Sequence, residues 1–254
     1  MCARACEGVD YVLHQAAFVS VPGSIKDPKG TNETNVNGTI NIINAAKNTG
    51  VKRVVWASSS AVYGNSEVLP NVETMPLCPL SPYAASKVAV ERYTRSFSED
   101  YGMSVIGLRY FNVFGKNQDP SSPYAAVIPL FVSGLLKGEQ ITIFGDGEQT
   151  RDFVFVDNVV HANIKAATQL RTEVSGCSFN IGSGKRISIN KLFTMIAEEL
   201  KSDIKPVYTS PRPGDVKDSL ADIHAARRAF GYEPEIDVKE GLKKTIGWYR
   251  EKLM

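Results

Sequence analysis

Val54-Val55-Trp56-Ala57-Ser58-Ser59-Ser60 and Ser81-Pro82-Tyr83-Ala84-Ala85-Ser86-Lys87 are the two stretches whose reading decides the fold. The first starts with four consecutive apolar residues, the mark of a strand covered on both faces. The second opens a helix, with Ser81 at the N-cap, Pro82 at the first helical position and Gly102 as terminator. Val90, Tyr93, Phe97 and Tyr101 fit its buried stripe. Upstream, Val9-Asp10-Tyr11-Val12-Leu13-His14 reads as another buried strand. Val36, Ile40, Ile43 and Ala46 then recur at helical spacing until Gly50. Downstream, Val105-Ile106-Gly107-Leu108 reads as a third strand. Apolar strands alternating with amphipathic helices predict an α/β fold with a parallel sheet and helices on both faces.

Beyond Phe114 the alternation breaks up, and Pro120, Pro123, Pro129, Gly134, Gly138, Gly145 and Gly147 punctuate shorter elements. The stretch from Ser188 to Leu200 reads as helical. We expect a sheet domain over residues 1–120, to which segments around 148–182 return, and a smaller irregular substrate-covering lobe over 121–254. The 254 residues carry 29 Lys+Arg against 27 Asp+Glu, a balance that gives no electrostatic footprint for nucleic acid. No apolar stretch approaches the roughly 20 residues a bilayer span needs. Met1 to Asp10 lacks the apolar run of a signal peptide. Cys2, Cys6, Cys78 and Cys177 have no histidine at ligand spacing, so no metal site is expected. The class left is a cytoplasmic globular protein.

Tyr83 and Lys87 are four apart and share one helical face, so a hydroxyl and an ammonium can meet in one site. A nearby cation favours the phenolate and is expected to draw the Tyr83 pKa down from about 10 toward that of a general base. Ser58-Ser59-Ser60 lies just past its strand, at the carboxyl end where parallel sheets place ligands. A hydroxyl there could hydrogen-bond the reacting oxygen alongside Tyr83. Gly182-Ser183-Gly184-Lys185 lacks the full phosphate-loop spacing and is read as an ordinary loop.

These stretches, with His14-Gln15-Ala16-Ala17, Asn35-Val36-Asn37-Gly38-Thr39, Leu108-Arg109-Tyr110-Phe111-Asn112-Val113-Phe114-Gly115, Gly145-Asp146-Gly147, Thr150-Arg151-Asp152-Phe153 and Arg212-Pro213-Gly214-Asp215, resemble the extended short-chain dehydrogenases/reductases, specifically the nucleotide-sugar 4-epimerases. The fold so implied is a Rossmann-like doubly wound sheet with a substrate lobe, and the implied cofactor is NAD. The resemblance makes Tyr83 the catalytic base. It gives Lys87 the nicotinamide ribose and has Ser59, beside Ser60, orient the sugar hydroxyl. Gln15, Ala16, Ala17, Phe18 and Val19 line the dinucleotide by the same resemblance, with Asn35 in support and Tyr110 and Phe111 flanking the nicotinamide. Ser20 falls to the substrate, Asn112 to its diphosphate, and Arg151 and Arg212 act as phosphate clamps, a task suited to the guanidinium fork. Val127, Thr142 and Phe144 match uridine-binding stretches, and Asp215 a ribose or supporting position.

Sugar dehydratases of this superfamily place an Asp-Glu pair directly after the catalytic hydroxyl, where this chain has Ser60 and Ala61. The resemblance therefore favours epimerisation. Ser219, seven residues after Arg212, matches the gatekeeper beside the sugar 2-substituent, and its small size implies that N-acetylhexosamines are accepted, as in UDP-N-acetylglucosamine 4-epimerases. A homodimer through helices matching roughly residues 35–48 and 82–101 is also implied. A reductase or decarboxylase acting on a nucleotide sugar, and a non-catalytic nucleotide-sugar-binding remnant, fit the same residues. The chain departs from the family in carrying no Gly-x-x-Gly-x-x-Gly turn. By resemblance about three strands are missing, the chain is expected to be a fragment, and the sheet is expected to expose an unpaired edge.

Overall fold

The computed structural model describes residues 1–121, 125–169, 173–211 and 216–253. The chain opens with α1 (Cys2–Cys6), β1 (Tyr11–His14), α2 (Val21–Lys26) and α3 (Pro28–Asn32), followed by a π-helical turn over Glu33–Asn37. Then come α4 (Gly38–Thr49), β2 (Arg53–Ser59), a 3-10 turn over Ser60–Tyr63, α5 (Pro82–Tyr101), β3 (Val105–Tyr110) and β4 (Asn112–Phe114). The second half holds α6 (Val127–Lys137), β5 (Thr142–Phe144), β6 (Thr150–Arg151), β7 (Phe153–Phe155), α7 (Val156–Thr168) and β8 (Ser178–Ile181). It continues with β9 (Ile187–Ser188), α8 (Ile189–Leu200), β10 (Val207–Thr209), α9 (His224–Phe230) and α10 (Val238–Leu253).

Strands β1, β2, β3 and β8 form one parallel sheet in that order, with Val12 opposite Val54, Val55 opposite Ile106 and Leu108 opposite Phe179. Its faces sort by strand alternation. Val54, Trp56 and Val105 pack with Val36, Ile43, Val90 and Phe97 under α4 and α5. Val55, Ile106, Leu108, Phe179 and Ile181 pack with Val159, Ala162 and Ala166 of α7 and with Ala226 and Phe230 of α9. Covered on both faces, β2 and β3 need their continuous apolar runs. A third apolar cluster joins Phe114, Phe131, Ile143, Phe155, Leu192, Ile246 and Tyr249 from α6, α8, α10 and the short strands.

The expected caps are present. Ser81 accepts from Ala84 N at 3.1 Å, and Gly102 ends α5 at φ 64°. Ser188 caps α8 by accepting from Lys191 N at 3.2 Å. Two expectations need correction. The first strand begins at Tyr11 and is only half covered, with Leu13 46% exposed, because β1 pairs on one side alone among the described residues. On α5, Val90 and Phe97 are buried, but Tyr93 and Tyr101 are exposed. The buried stripe instead runs through Tyr83, Lys87, Val90, Glu91, Thr94 and Phe97, since polar groups of the site, which periodicity counts as outward-facing, share the inner face.

Candidate active site

The serine triplet after β2 divides its labour. Ser58 is buried and its hydroxyl donates to Glu91 Oε1 at 2.7 Å. Ser59 caps the following 3-10 turn, accepting from Ala61 N at 3.2 Å. Ser59 and Ser60 both line a cleft of about 630 Å³ that Tyr83, Tyr110, Phe111, Asn112, Arg151 and Ser219 also line. Tyr83 sits in the first turn of α5, where its N–H donates to Ser24 Oγ at 3.1 Å, so α2 fixes the helix entry. One turn on, Lys87 is 4% exposed, donates to Ala57 O at 2.8 Å and lies 5.7 Å from the Tyr83 ring centroid.

Burial rules the electrostatics here. Loss of hydration pushes the Tyr83 phenol up, and the Ser59 hydroxyl, hydrogen-bonded to it, opposes that rise. The downward shift expected from the neighbouring ammonium is therefore absent from the protein alone. The reason is that Lys87 is itself desolvated, its pKa drawn down to about 8. His14 is lowered by burial and by the Lys87 charge, and its Nε2 lies 3.1 Å from Thr39 Oγ1. Among the described residues the Lys87 ammonium makes a single hydrogen bond, leaving two of three N–H donors unspent in a buried place. An ammonium so held fits the vicinal hydroxyls of a ribose, the nicotinamide end of NAD. The adenosine-phosphate end has no glycine-rich turn among this chain's residues.

Gln15, Ala16, Ala17, Phe18 and Val19 form the loop that leaves the carboxyl end of β1, beside Lys87's helix. Asn35 holds that loop in place. Its amide nitrogen donates to Phe18 O and to Ser86 Oγ, both at 3.0 Å, and its oxygen accepts from Phe18 N at 2.7 Å. With its polar atoms so committed, Asn35 positions the loop. Ser20 does not line the cleft; it is buried and caps α2 by accepting from Gly23 N at 2.9 Å. The Tyr110 hydroxyl donates to Gln15 Oε1 at 2.9 Å and accepts from Asn163 Nδ2 at 2.8 Å, tying the ends of β1 and β3 to α7.

A second cleft, of about 360 Å³, gathers Val127, Thr142, Phe144, Gln149, Asn112 and Arg151. Asn112 and Arg151 line both clefts, so the two run together at that pair. Arg151 donates to Thr150 O at 2.8 Å and Lys217 O at 3.1 Å. Gln149 Nε2 donates to Phe144 O at 2.7 Å and fixes the turn that carries the ring. Arg212 and Asp215 lie outside the described residues. Ser219 reaches the cleft because Asp152, fully buried, accepts from Ala221 N, Ser183 N, Ser183 Oγ and Gly184 N at 2.7–3.1 Å. The Gly182–Lys185 loop thus uses its amides on an internal carboxylate.

Sequence reasoning missed Asn163, Gln149, Asp152 and the apolar wall of Val21, Pro22, Ile25 and Leu80 at the mouth of the larger cleft. It also missed a buried pair, Glu91 and Arg109, 2.7 Å apart. A carboxylate one turn past Lys87, on the face that carries Tyr83, was the signal for the last.

Residues 2–182 match the model of the NAD dependent epimerase/dehydratase family. The UDP-glucose 4-epimerase of Mycolicibacterium smegmatis is 38% identical over 244 residues, which are 96% of this chain and 77% of that protein. The UDP-N-acetylglucosamine 4-epimerase of Methanobrevibacter ruminantium, solved with UDP-N-acetylmuramic acid, superposes with a TM-score of 0.95 at 43% identity, covering 99% of this chain and 80% of its own. The UDP-glucose 4-epimerase of Thermotoga maritima, solved with UDP-glucose, gives 0.94 at 37% identity over 100% and 82%. The Tyr83–Lys87 helix, the Ser59 strand end and the joined clefts all lie on the matched sequence and fold, and the chain belongs to the NAD-dependent epimerase/dehydratase family.

Proposed function

We propose that the chain is an NAD-dependent UDP-hexose 4-epimerase whose substrates are UDP-N-acetylglucosamine and UDP-N-acetylgalactosamine. One observation carries the reading: a cleft lined by Ser59 and Tyr83, with Lys87 buried 5.7 Å from the Tyr83 ring, runs through Asn112 and Arg151 into an apolar slot bearing Phe144 and Val127. That sequence of environments suits a sugar, a diphosphate and a pyrimidine nucleoside in turn. The likeness to UDP-sugar 4-epimerases supports the same order.

The chain's own groups have defined tasks in this reading. Tyr83 takes the proton of the sugar 4-hydroxyl while Ser59 hydrogen-bonds the same oxygen. Lys87 holds the nicotinamide ribose. Bound NAD supplies reversible two-electron redox chemistry at sugar C4. Arg151 and Asn112 keep the diphosphate while the 4-keto sugar turns about its link to it. Tyr83 then returns the proton to an oxygen presented on the opposite face, and no net redox results. Ser219, buried and small at the cleft wall, leaves room for a 2-acetamido group. We place the homodimer contact on the outer faces of α4 and α5, where Tyr93 and Tyr101 are exposed. A monomeric mass by light scattering at micromolar concentration would remove that part of the reading.

The test is interconversion of the two UDP-N-acetylhexosamines by the purified chain with added NAD, followed by proton NMR. The expected result is equilibration without accumulation of reduced cofactor, and its loss in Tyr83→Phe. Net cofactor reduction, or unchanged turnover in Tyr83→Phe, would overturn the reading.

A further inference from the structure

Beneath the cleft lies a polar network that the catalytic roles do not use. Glu91 and Arg109 are 8% and 5% exposed, and they meet as a bidentate pair, Nε to Oε1 at 2.9 Å and Nη2 to Oε2 at 2.7 Å. Arg109 Nη1 also donates to the Tyr63 hydroxyl at 2.7 Å, which donates in turn to Asn180 Oδ1 at 2.6 Å. Ser58, next to the cleft-lining Ser59, donates its hydroxyl to the same Glu91 Oε1 that Arg109 Nε binds.

The connectivity matters more than the count. Ser58 adjoins Ser59 on β2, and Glu91 lies one turn past Lys87 and two past Tyr83 on α5. Besides the Ser59–Tyr83 hydroxyl pair itself, two side-chain hydrogen bonds among the described residues join this strand end to this helix: Lys87 Nζ to Ala57 O, and Ser58 Oγ to Glu91 Oε1. The first belongs to the site itself. The second fixes the axial register of α5 against β2, and that register sets where the Tyr83 hydroxyl stands relative to Ser59. Arg109, anchored in the sheet at β3, holds the Glu91 carboxylate in one orientation, since a buried bidentate pair leaves it no other rotamer with both oxygens satisfied.

We propose that Glu91, oriented by Arg109 and acting through Ser58, is the positioning residue that keeps Ser59 within hydrogen-bond reach of Tyr83. The proposal rests on reading Tyr83 and Ser59 as proton-handling groups, and its test includes a readout independent of turnover.

The protein is labelled with 3-fluorotyrosine and titrated by fluorine NMR, the Tyr83 resonance being the one missing from Tyr83→Phe. Ser58→Ala removes the crossing hydrogen bond and leaves the Glu91–Arg109 pair intact. Its Tyr83 midpoint should rise by about 0.5–1 pH unit, as in Ser59→Ala, because the hydrogen bond that favours the phenolate is lost. Ser58→Thr, which keeps the hydroxyl, should restore the parent midpoint. Glu91→Gln sets an amide N–H against an Arg109 donor and breaks the bidentate pair that orients the side chain, so it should raise the Tyr83 midpoint in the same direction as Ser58→Ala. In turnover, Ser58→Ala should reduce kcat about tenfold, the lower part of what a misplaced general base costs, with KM within twofold. A parental midpoint in Ser58→Ala or in Glu91→Gln would overturn the proposal. Should Ser58→Ala lose its fold, the Glu91→Gln titration decides. A labelled parent that titrates as described but fails to interconvert sugars would sink the epimerase reading and leave the positioning argument standing.

Discussion

Lys87→Met should stabilise the protein at neutral pH while abolishing its proposed activity. Lys87 is 4% exposed, and loss of hydration draws its pKa from 10.5 down to about 8. A lowered folded-state pKa means that the fold disfavours the charged lysine. The difference converts to about 3 kcal/mol of strain, fully present below the folded pKa, where the group is protonated in both states. As pH rises from about 8 toward 10.5 the unfolded chain keeps its proton while the native one releases it, so parent stability climbs through that window. Methionine of similar length carries no charge to desolvate but forfeits the hydrogen bond to Ala57 O, worth about 1–1.5 kcal/mol. The net expectation is a gain of about 1.5–2 kcal/mol at pH 7, with the gap closing and changing sign by pH 10.5. Urea unfolding of both proteins by circular dichroism at intervals from pH 7 to 10.5 measures it, with ionisations common to both cancelling in the difference. A less stable Lys87→Met at pH 7, or a gap independent of pH, would refute the argument. Such a result would mean that water or a neighbouring acceptor solvates the ammonium. The gain matches the general pattern in which a catalytic group is held at a cost to the fold.

The other expectations concern the cleft and its supports. Ser219→Tyr should fill the space beside the sugar 2-position and cut kcat/KM for the N-acetylated sugars at least tenfold relative to UDP-glucose, a difference above about 1.4 kcal/mol that competition assays read directly. Arg151→Ala should raise KM or the Kd for UDP by about tenfold or more, because a charge-assisted contact to phosphate is worth roughly 1.5–3 kcal/mol, as calorimetric titration with UDP would show. Asp152→Asn keeps one acceptor oxygen where the carboxylate serves four donors. It should cost about 2–3 kcal/mol, and an unchanged urea midpoint would count against the anchoring role. Activity should rise with pH on the limb governed by Tyr83, since burial raises that phenol and only the phenolate accepts a proton; a flat alkaline profile of kcat would remove Tyr83 from the rate-limiting proton transfer.

Local chemistry made much of this protein legible from its residues. Consecutive apolar runs at Val54–Ala57 and Val105–Leu108 could only be strands covered on both faces. Ser81, Pro82 and Gly102 bound α5, because capping and the left-handed terminator depend on a few neighbouring residues. The four-residue spacing of Tyr83 and Lys87 alone puts both on one helical face. Composition and spacing could not say which polar residues turn inward. Tyr93 and Tyr101 were expected in the core and are exposed, whereas Glu91, which the apolar period leaves out, is buried, since what a helix face meets is set by the elements packed on it.

Burial, a property of the assembled fold, decided the rest. It raises Tyr83 where a local rule for a neighbouring cation says lower, and it takes Lys87 to about 8. It commits the Ser20 hydroxyl to the cap of α2 and the amides of Ser183 and Gly184 to Asp152, partners that no local pattern names. Residues far apart in sequence, such as Ser58 and Glu91 or Gln15 and Asn163, become partners only when sheet and helices close on one another. Short-range geometry determined which residues could do the chemistry. Their protonation, partners and mutual distances belong to the tertiary structure, because each depends on how much water the fold excludes and on which strand ends it brings together.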